Sequence, residues 1–107
     1  MTSDYQYQKE TDMNKKAATL CSTLPYTYIE KRMSGAGKRG KVDLTGCSHG
    51  YRIELEGKKP GKEPTAKQQF WLDKWAACGA ITGVYNTPQQ ALEIIKYEIK
   101  QRTGTQI

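Results

Sequence analysis

Two carboxylates and a lysine that could act together, Asp43, Glu56 and Lys58, lie on neighbouring segments that alternate apolar and polar residues. Alternation with a period of two is typical of half-buried strands, because successive side chains of a strand point to opposite faces. The pattern predicts strands at 41–45 and 51–58, joined in a hairpin. All three polar side chains then lie on one face of this hairpin, and the apolar side chains lie on the other.

The position of the turn decides which carboxylate faces Asp43. A two-residue turn at 49–50 places Asp43 directly opposite Glu56, and the glycine at position 50 supplies the positive φ that such turns need. A turn at 48–49 instead makes Glu54 the opposite partner and leaves Glu56 on the diagonal, still on the same face. In either register, two or three carboxylates share one surface with a lysine.

Carboxylates that face each other across two strands repel, so their clustering calls for a physical reason. A divalent cation removes this repulsion, and Mg²⁺ is typically held by one or two carboxylates together with waters and substrate phosphate. Lys58, two residues after Glu56, could orient or deprotonate a water, or stabilise charge that develops on a phosphate. The alternative is a solvated hairpin face whose charges have no chemical role.

The composition is that of a small, basic globular domain. The chain has 107 residues, a net charge of +6 and a pI near 9.3, so a polyanionic partner such as nucleic acid is expected. The alternative is a generic surface whose charge serves only solubility. Basic residues cluster on both sides of the predicted hairpin, where a phosphate backbone would need neutralising. The candidates for binding it are Lys38, Arg39, Lys41, Lys59 and Lys62.

Other features of the sequence argue against several classes of protein. No run is long and apolar enough to span a membrane, and the first residues do not resemble a secretory signal. The cysteines, Cys21, Cys47 and Cys78, are odd in number and widely spaced, which argues against a zinc site and against a disulfide framework. We therefore expect a cytoplasmic protein without membrane association.

The elements that must position the polar residues follow from periodicity and capping signals. An N-terminal arm at 1–10 precedes a single domain at 11–107, and a Gly-rich basic loop at 34–40 precedes the hairpin. This loop matches G-x-G-x-x-G by letter, but a dinucleotide fingerprint must open a helix, whereas here a strand follows. The expected fold is α/β, with a mixed sheet and the order α-β-β-β-α-β-α. Its predicted elements are a helix at 12–23, a strand at 26–32, the hairpin strands, a helix at 65–78, a strand at 80–85, and a last helix that begins at 87 and ends before a tail at 102–107.

The helix at 65–78 is expected to cross over to a final strand that runs parallel to its neighbour. Gln68, in the first turn of this helix, has two interpretations. Thr65-x-x-Gln68 has the spacing of a capping box, in which the glutamine reaches back to the backbone amide of the cap residue. Alternatively, the amide of Gln68 projects towards the carboxylate face. The local sequence leaves both open.

Asp43, the tripeptide Glu56-Gly57-Lys58 and Gln68 occur in the order found in virus-type replication–repair nuclease (VRR-NUC) domains, which the chain resembles from about residue 40 to residue 95. These domains belong to the PD-(D/E)xK phosphodiesterase superfamily, so the resemblance implies a small restriction-endonuclease-like α/β fold. It rests on the order and spacing of three short pieces: Gly40-x-x-Asp43-Leu44-x-Gly46; Ile53-Glu54-Leu55-Glu56-x-Lys58-x-Pro60-Gly61; and Pro64-Thr65-x-x-Gln68, which leads to Gly79 and the strand after it.

The resemblance implies metal-dependent endonucleolytic cleavage of DNA, often at branched structures such as Holliday junctions. By position, Asp43 and Glu56 would bind Mg²⁺ or Mn²⁺, and Gly57 would offer its backbone carbonyl to the metal. Lys58 would serve the attacking water, and Gln68 would support the site. Stand-alone phage and bacterial members of the group resemble Holliday-junction resolvases that act as homodimers, and the small size of this chain fits that subgroup.

A homodimer is also the economical way to cut a junction twice when each chain has one metal site. Tyrosine suits an interface, because it buries area but keeps a polar tip. Alternatively, the tyrosines of this chain cap a small core. The candidates for the dimer surface are Tyr5, Tyr7, Tyr26, Tyr28 and Tyr97.

Two positions depart from the superfamily pattern. Position 57 is glycine, where an apolar β-branched residue is more usual, so the strand is expected to be locally looser. The superfamily often has another glutamate on its first helix, and Glu10, the nearest candidate, falls outside the helix predicted at 12–23. The competing hypothesis is a basic nucleic-acid-binding module whose carboxylate hairpin is incidental or has lost catalysis. A nuclease that acts on RNA is a third, since nothing in the sequence reads a 2′-hydroxyl.

Overall fold

The computed structural model describes residues 9–33 and 41–107. The N-terminal arm, apart from its last two residues, and the basic loop at 34–40 lie outside this part of the chain. The order of the described elements confirms the predicted α-β-β-β-α-β-α arrangement. They are α1 (Glu10–Cys21), β1 (Thr27–Lys31), β2 (Leu44–Ser48), β3 (Tyr51–Gly57), α2 (Ala66–Ala77), β4 (Ile81–Tyr85) and α3 (Pro88–Thr103).

The four strands form one mixed sheet in the order β1-β2-β3-β4. β1 pairs antiparallel with β2, and β2 pairs antiparallel with β3. β4 pairs parallel with β3, and α2 is the crossover between them. The predicted mixed sheet is therefore confirmed, with β3 at its centre between an antiparallel and a parallel neighbour.

The hairpin has the first of the two registers that the sequence allows. Its turn is at 49–50, where both residues have positive φ, 52° and 85°, as a two-residue type I′ turn requires. Leu44 is paired with Leu55 in the ladder, so Asp43, one residue before β2, stands opposite Glu56. The strand predicted at 41–45 is displaced, because the ladders with both β1 and β3 continue to the turn but reach back only to Leu44.

Two helices also differ from their predicted bounds. α1 begins at Glu10, two residues earlier than expected. α3 continues to Thr103, into the segment predicted as a tail, and ends where Gly104 adopts a left-handed φ of 76°. Within the described part of the chain, none of the helices has the combination of length and apolar character that crossing a membrane requires.

Helices cover the sheet on both faces. α1 and α3 pack against each other and, with the apolar face of the sheet, enclose the main core. α2 packs over β3 and β4 on the other face, where Leu72 is buried and the Arg52 guanidinium lies 4.3 Å from the ring centroid of Trp75. The fully buried apolar side chains of the main core include Met13, Leu44, Ile53, Leu55, Ile81, Ile95 and Ile99.

Residues 53–57 of β3 are buried on both faces, so this part of the strand is not half-buried, and the alternative of a solvated hairpin face does not hold for it. The buried residues include Glu54 and Glu56. The reason is the central position of this part of β3, which has a strand on each side and helices over both faces of the sheet. Buried carboxylates need partners, and those partners define the site.

Candidate active site

Asp43 and Glu56 meet at one end of the sheet, where the chain enters β2 and leaves β3. The backbone N–H of Asp43 donates to Glu56 Oε1 at 3.2 Å, and the backbone N–H of Gly57 donates to Asp43 Oδ2 at 3.0 Å. Each carboxyl group is therefore held by a main-chain donor from the segment that carries the other. We call these two residues the acidic pair.

Burial and proximity disturb the protonation of the acidic pair. Burial, and after it the charge of Asp43, raise the pKa of Glu56 from 4.5 to about 8, although the nearby Lys58 ammonium acts in the opposite direction. Burial also raises the pKa of Asp43, against the hydrogen bond from Gly57 that lowers it. Without a cation at neutral pH, the pair therefore retains a proton, which the two carboxyl groups share in a side-chain hydrogen bond.

Lys58 follows the acidic pair and is directed at it. Its Nζ lies 3.5 Å from Glu56 Oε2, and its side chain is only 11% exposed. Its backbone is fixed on both sides by the end of β4. The N–H of Lys58 donates to the Tyr85 carbonyl at 2.9 Å, and the Lys58 carbonyl accepts from Asn86 Nδ2 at 3.0 Å. The structure thus brings together Asp43, Glu56 and Lys58, the three residues that were identified from the sequence as able to act together.

Glu54 is two residues before Glu56, but it belongs to a separate cluster. Its Oε1 accepts from Arg32 at 3.0 Å, and its Oε2 accepts from Arg52 at 2.9 Å. The Thr45 hydroxyl donates to the same Oε2. Two guanidinium groups thus neutralise this buried carboxylate. In the observed register Glu54 stands opposite Thr45, and Glu56 is the glutamate that stands opposite Asp43.

Gln68 forms the capping box that its spacing predicted. The Thr65 N–H donates to Gln68 Oε1 at 2.8 Å, and the Thr65 hydroxyl accepts from the Gln68 N–H at 3.2 Å. The side-chain oxygen of Gln68 is therefore committed to the start of α2. Support of the acidic pair by Gln68 stays a prediction, and it would have to come from the side-chain NH₂ group.

Gly57 is buried and closely packed, so the expectation of a locally looser strand is wrong. A Cβ atom at this position would lie 2.1 Å from Asn14 Oδ1 and 2.9 Å from both Met13 Cε and Tyr85 Cζ. No side chain fits there, because α1 and β4 already fill the space. The glycine thus allows two neighbouring elements to approach β3 beside the acidic pair.

Glu10 lies inside the first helix, not outside it as the sequence indicated. Glu10 and Asp12 both lie in the first turn of α1, where negative side chains are favoured by the helix dipole. The Glu10 carboxylate accepts the backbone N–H of Lys59 at 2.9 Å. After the larger effect of burial, the charge of Glu10 also helps to raise the pKa of Asp43, so Glu10 lies within electrostatic reach of the acidic pair.

Similarity to known proteins is found at the level of structure. No family model matches the sequence, and no curated protein is a significant match. A solved structure described as "VRR_NUC domain" is similar with a TM-score of 0.67 and 22% identity, over 85% of this chain and 98% of that chain. Another, described as "VRR_NUC domain protein", also has a TM-score of 0.67, with 18% identity over 86% of this chain and 88% of that chain. The chain has the fold of a VRR_NUC domain.

Within this VRR_NUC fold, the sequence did not single out Asn14 or the hydroxyl of Tyr85. Asn14 is on the buried side of α1 and is 4% exposed, and the Tyr85 hydroxyl donates to its Oδ1 at 2.5 Å. One signal could have found them. A glycine inside a buried strand often marks the close approach of another element, and Gly57 is such a glycine.

The predicted phosphate-binding residues within the described part of the chain lie on the two segments that flank the acidic pair in sequence. Lys41, two residues before Asp43, has its Nζ 5.4 Å from the ring centroid of Trp71 on α2. Lys59 and Lys62 lie on the loop from β3 to α2, where the Lys62 N–H donates to the Lys59 carbonyl at 3.0 Å. The two candidates that lie outside the described residues are Lys38 and Arg39.

The acidic pair fits a hard divalent cation. In residues 9–33 and 41–107, no three Asp, Glu, His or Cys side chains come together to form a ready-made metal cage. Mg²⁺ does not need one, since it keeps several waters and binds through one or two carboxylates plus substrate phosphate. Asp43 and Glu56 supply hard oxygen ligands. Burial, which raises the pKa of both groups, disfavours their charged forms unless a positive charge is close by. Mg²⁺ and Mn²⁺ both match this donor set.

Proposed function

We propose that the protein is a metal-dependent endonuclease that hydrolyses phosphodiester bonds of DNA. The observation that carries the proposal is the convergence of Asp43, Glu56 and Lys58 at one end of the sheet. Burial of two neighbouring carboxyl groups destabilises the metal-free fold when both are charged, as their raised pKa values indicate. Strongly perturbed groups that cluster at one edge of a fold are typical of catalytic sites. The shared fold with VRR_NUC domains supports the same function.

The acidic pair would hold the cation, with the backbone carbonyl of Gly57 as a further ligand. Bound Mg²⁺ or Mn²⁺ supplies Lewis-acid chemistry, since such an ion polarises a phosphoryl oxygen and lowers the pKa of a bound water. Glu56 must first release the proton that its pKa of about 8 retains at neutral pH. Gln68 would support the site from the start of α2.

Lys58 would act on water or on phosphate. Its backbone is fixed by Tyr85 and Asn86, so its ammonium group is already held beside Glu56 before substrate arrives. From this position it can hold a water by a hydrogen bond, or it can stabilise negative charge that grows on the phosphate. Both roles require a group in place at the moment of reaction, which a buried lysine stem provides.

The charge distribution supports DNA as the substrate. The chain carries a net charge of +6, and Lys41, Lys59 and Lys62 lie on the segments that flank the acidic pair. Contacts of this kind neutralise phosphates and position a nucleic acid without reading its sequence. The other residues proposed to contact phosphate are Lys38 and Arg39.

We further propose that the active species is a homodimer that cuts branched DNA such as a Holliday junction. Each chain offers one acidic pair, whereas resolving a junction needs two cuts, and a two-fold dimer places two sites on one substrate. Exposed tyrosines supply candidate surface, since Tyr26 is 85%, Tyr28 is 62% and Tyr97 is 63% exposed. The remaining candidates, Tyr5 and Tyr7, lie outside the described residues.

The test incubates the full chain with a four-way junction, a flap, a linear DNA duplex and an RNA duplex, in Mn²⁺ or in EDTA. We expect cleavage in Mn²⁺ that is strongest for the junction and that stops in EDTA. Asp43→Asn, Glu56→Gln and Lys58→Ala should each abolish cleavage but retain DNA binding. Glu93→Gln, which removes an exposed carboxylate from α3, is the matched control and should cut as the wild type does.

The possible outcomes separate the hypotheses. Near-wild-type cleavage by Glu56→Gln would contradict the assignment of the acidic pair. A wild-type protein that shifts DNA on a gel but cuts it with neither Mg²⁺ nor Mn²⁺ would support the non-catalytic binding module.

Sedimentation at micromolar concentration tests the dimer. A chain that stays monomeric with and without junction DNA, and yet makes paired symmetric cuts, would refute it.

A further inference from the structure

A buried hydrogen bond joins α1 to β4 directly behind the acidic pair. The Tyr85 hydroxyl donates to Asn14 Oδ1 at 2.5 Å. Asn14 is 4% exposed and Tyr85 is fully buried. An asparagine in the core is unfavourable unless its amide is satisfied, and leucine or alanine would serve better if this side of α1 only had to pack. The asparagine therefore points to a specific polar requirement at this position.

The neighbours of Asn14 indicate what this requirement is. A Cβ atom on Gly57 would lie 2.1 Å from Asn14 Oδ1, so the amide packs directly on the Gly57 backbone. The N–H of the same glycine donates to Asp43 Oδ2 at 3.0 Å. The amide of Asn14 thus lies beside the peptide that holds the first member of the acidic pair.

We propose that Asn14 and Tyr85 form a positioning pair for Asp43, in which the Tyr85 hydroxyl fixes the Asn14 amide so that its NH₂ group faces the Asp43 carboxylate. An asparagine side chain has an acceptor end and a donor end. Because the Tyr85 O–H occupies the acceptor, the donor end is turned away from Tyr85, and a carboxylate is the acceptor that matches it. This inference rests on the proposed metal site and extends it to two residues that do not touch the cation.

The electrostatics of Asp43 agree with this arrangement. Burial raises the pKa of Asp43, and hydrogen bonds from the Gly57 backbone and from the Asn14 side chain lower it. The side chain of Asn14 is therefore in contact with the Asp43 carboxyl group. It favours one orientation of the carboxyl group, because the Gly57 N–H and the Asn14 amide approach it from β3 and from α1 respectively.

Tyr85→Phe tests the pair with the loss of a single oxygen atom. Tyr51→Phe is the matched control. Tyr51 is a partly buried tyrosine at the other end of β3, on the same face as Gly57, and the Arg102 guanidinium lies 5.1 Å from its ring centroid. Mn²⁺ binding is measured by calorimetry on the full chain without DNA, and cleavage is measured against Mn²⁺ concentration. Loss of a group that orients a metal ligand weakens metal affinity by about 10- to 100-fold.

We expect Tyr85→Phe to weaken Mn²⁺ binding by about tenfold or more, and to approach the wild-type cleavage rate when Mn²⁺ is saturating. Tyr51→Phe should bind Mn²⁺ as the wild type does. A purely structural role for the Tyr85 hydroxyl would lower the melting temperature and leave the affinity of the folded protein for Mn²⁺ unchanged, which would overturn the proposal.

The Mn²⁺ affinity of Asn14→Ala provides a second test, which does not depend on whether Tyr85→Phe folds. This variant is expected to fold, since alanine is small and favours the helix. It should weaken Mn²⁺ binding as much as Tyr85→Phe does. The double variant should be no weaker than either single variant, because the two residues act through one hydrogen bond. Additive losses would contradict a pair that acts as a unit.

If the wild type itself binds no Mn²⁺, the proposed function fails. If wild type binds Mn²⁺, Asp43→Asn does not, and Tyr85→Phe matches the wild type, only the positioning pair fails.

Discussion

Replacing Glu56 by glutamine removes the carboxyl group whose pKa is raised to about 8 by burial and by the neighbouring charge of Asp43. In the unfolded chain this group titrates near 4.5. Between these two values the native protein holds a proton that the unfolded chain has lost, so the free energy of unfolding falls as the pH rises. The stabilising effect is complete below pH 4.5 and is lost as the pH passes through 8.

The size of this effect follows from the shift. One pKa unit corresponds to about 1.4 kcal/mol, so a rise from 4.5 to about 8 corresponds to about 5 kcal/mol between the two limits. Glu56 is 1% exposed, so solvent does little to screen its interactions. Glutamine stays neutral over the whole range and can still accept the Asp43 N–H. The metal-free variant should therefore match the wild type near pH 5 and exceed it by several kcal/mol near pH 8.5.

Urea unfolding of both proteins in EDTA, at intervals from pH 5 to pH 8.5, measures this difference. The wild type should lose stability steadily across the range, and Glu56→Gln should lose much less. Glu93→Gln, from the exposed surface of α3, should follow the wild type. Parallel pH profiles for Glu56→Gln and the wild type would refute the reasoning, because they would mean that Glu56 titrates alike in the folded and unfolded chains.

Other variants probe the same region of the structure. Calorimetry in buffers of different ionisation enthalpy should show that Mn²⁺ binding at pH 7 releases close to one proton from Glu56, and no release would mean that this group is already ionised. Metal-free Asp43→Asn should be as stable as the wild type or slightly more stable. Mg²⁺ should raise the melting temperature of the wild type more than that of Asp43→Asn, and equal rises in the two proteins would exclude a site at Asp43. Glu54→Gln should destabilise the fold by about 3 kcal/mol, since it removes the buried charge that pairs with the partly buried Arg32 and with the exposed Arg52, and an unchanged melting temperature would contradict that cluster. Gly57→Ala should destabilise by about 1–3 kcal/mol or more through overpacking, and a neutral result in thermal unfolding would show that the space beside Asn14 can open.

Much of the fold could be predicted from the sequence because its signals are local. The alternation predicts the hairpin and its shared polar face, and the turn at 49–50, one of two that the sequence allows, is the one that brings Asp43 opposite Glu56 in the structure. The capping box at Thr65 fixes the start of α2. Each of these depends on residues within about one hairpin or one helical turn, where spacing reduces the possible partners of a group to two.

The packing of Gly57 could not be predicted in the same way, because it depends on contacts between distant segments. Asn14 and Tyr85 are 71 residues apart in sequence, and their hydrogen bond is set by the packing of α1 against the sheet. Because the sequence does not reveal these contacts, the glycine after Glu56 was expected to make the strand locally looser. In the structure, the missing side chain is replaced by the Asn14 amide and the Tyr85 ring. The space that a side chain at position 57 would fill is thus occupied by residues from outside the strand.

Glu54 and Glu56 show most clearly why a strand pattern alone cannot locate a site. They have the same side chain, lie on the same face of β3 and are both buried. Arg32 reaches Glu54 from beyond the end of β1, and Arg52 reaches it along its own strand, so this carboxylate is fully neutralised. Glu56 instead faces a second carboxyl group and one lysine, which leaves it short of positive charge. The cation is therefore expected where the protein provides too few positive groups, and that deficit can be recognised only after the arginines have been assigned to their partners.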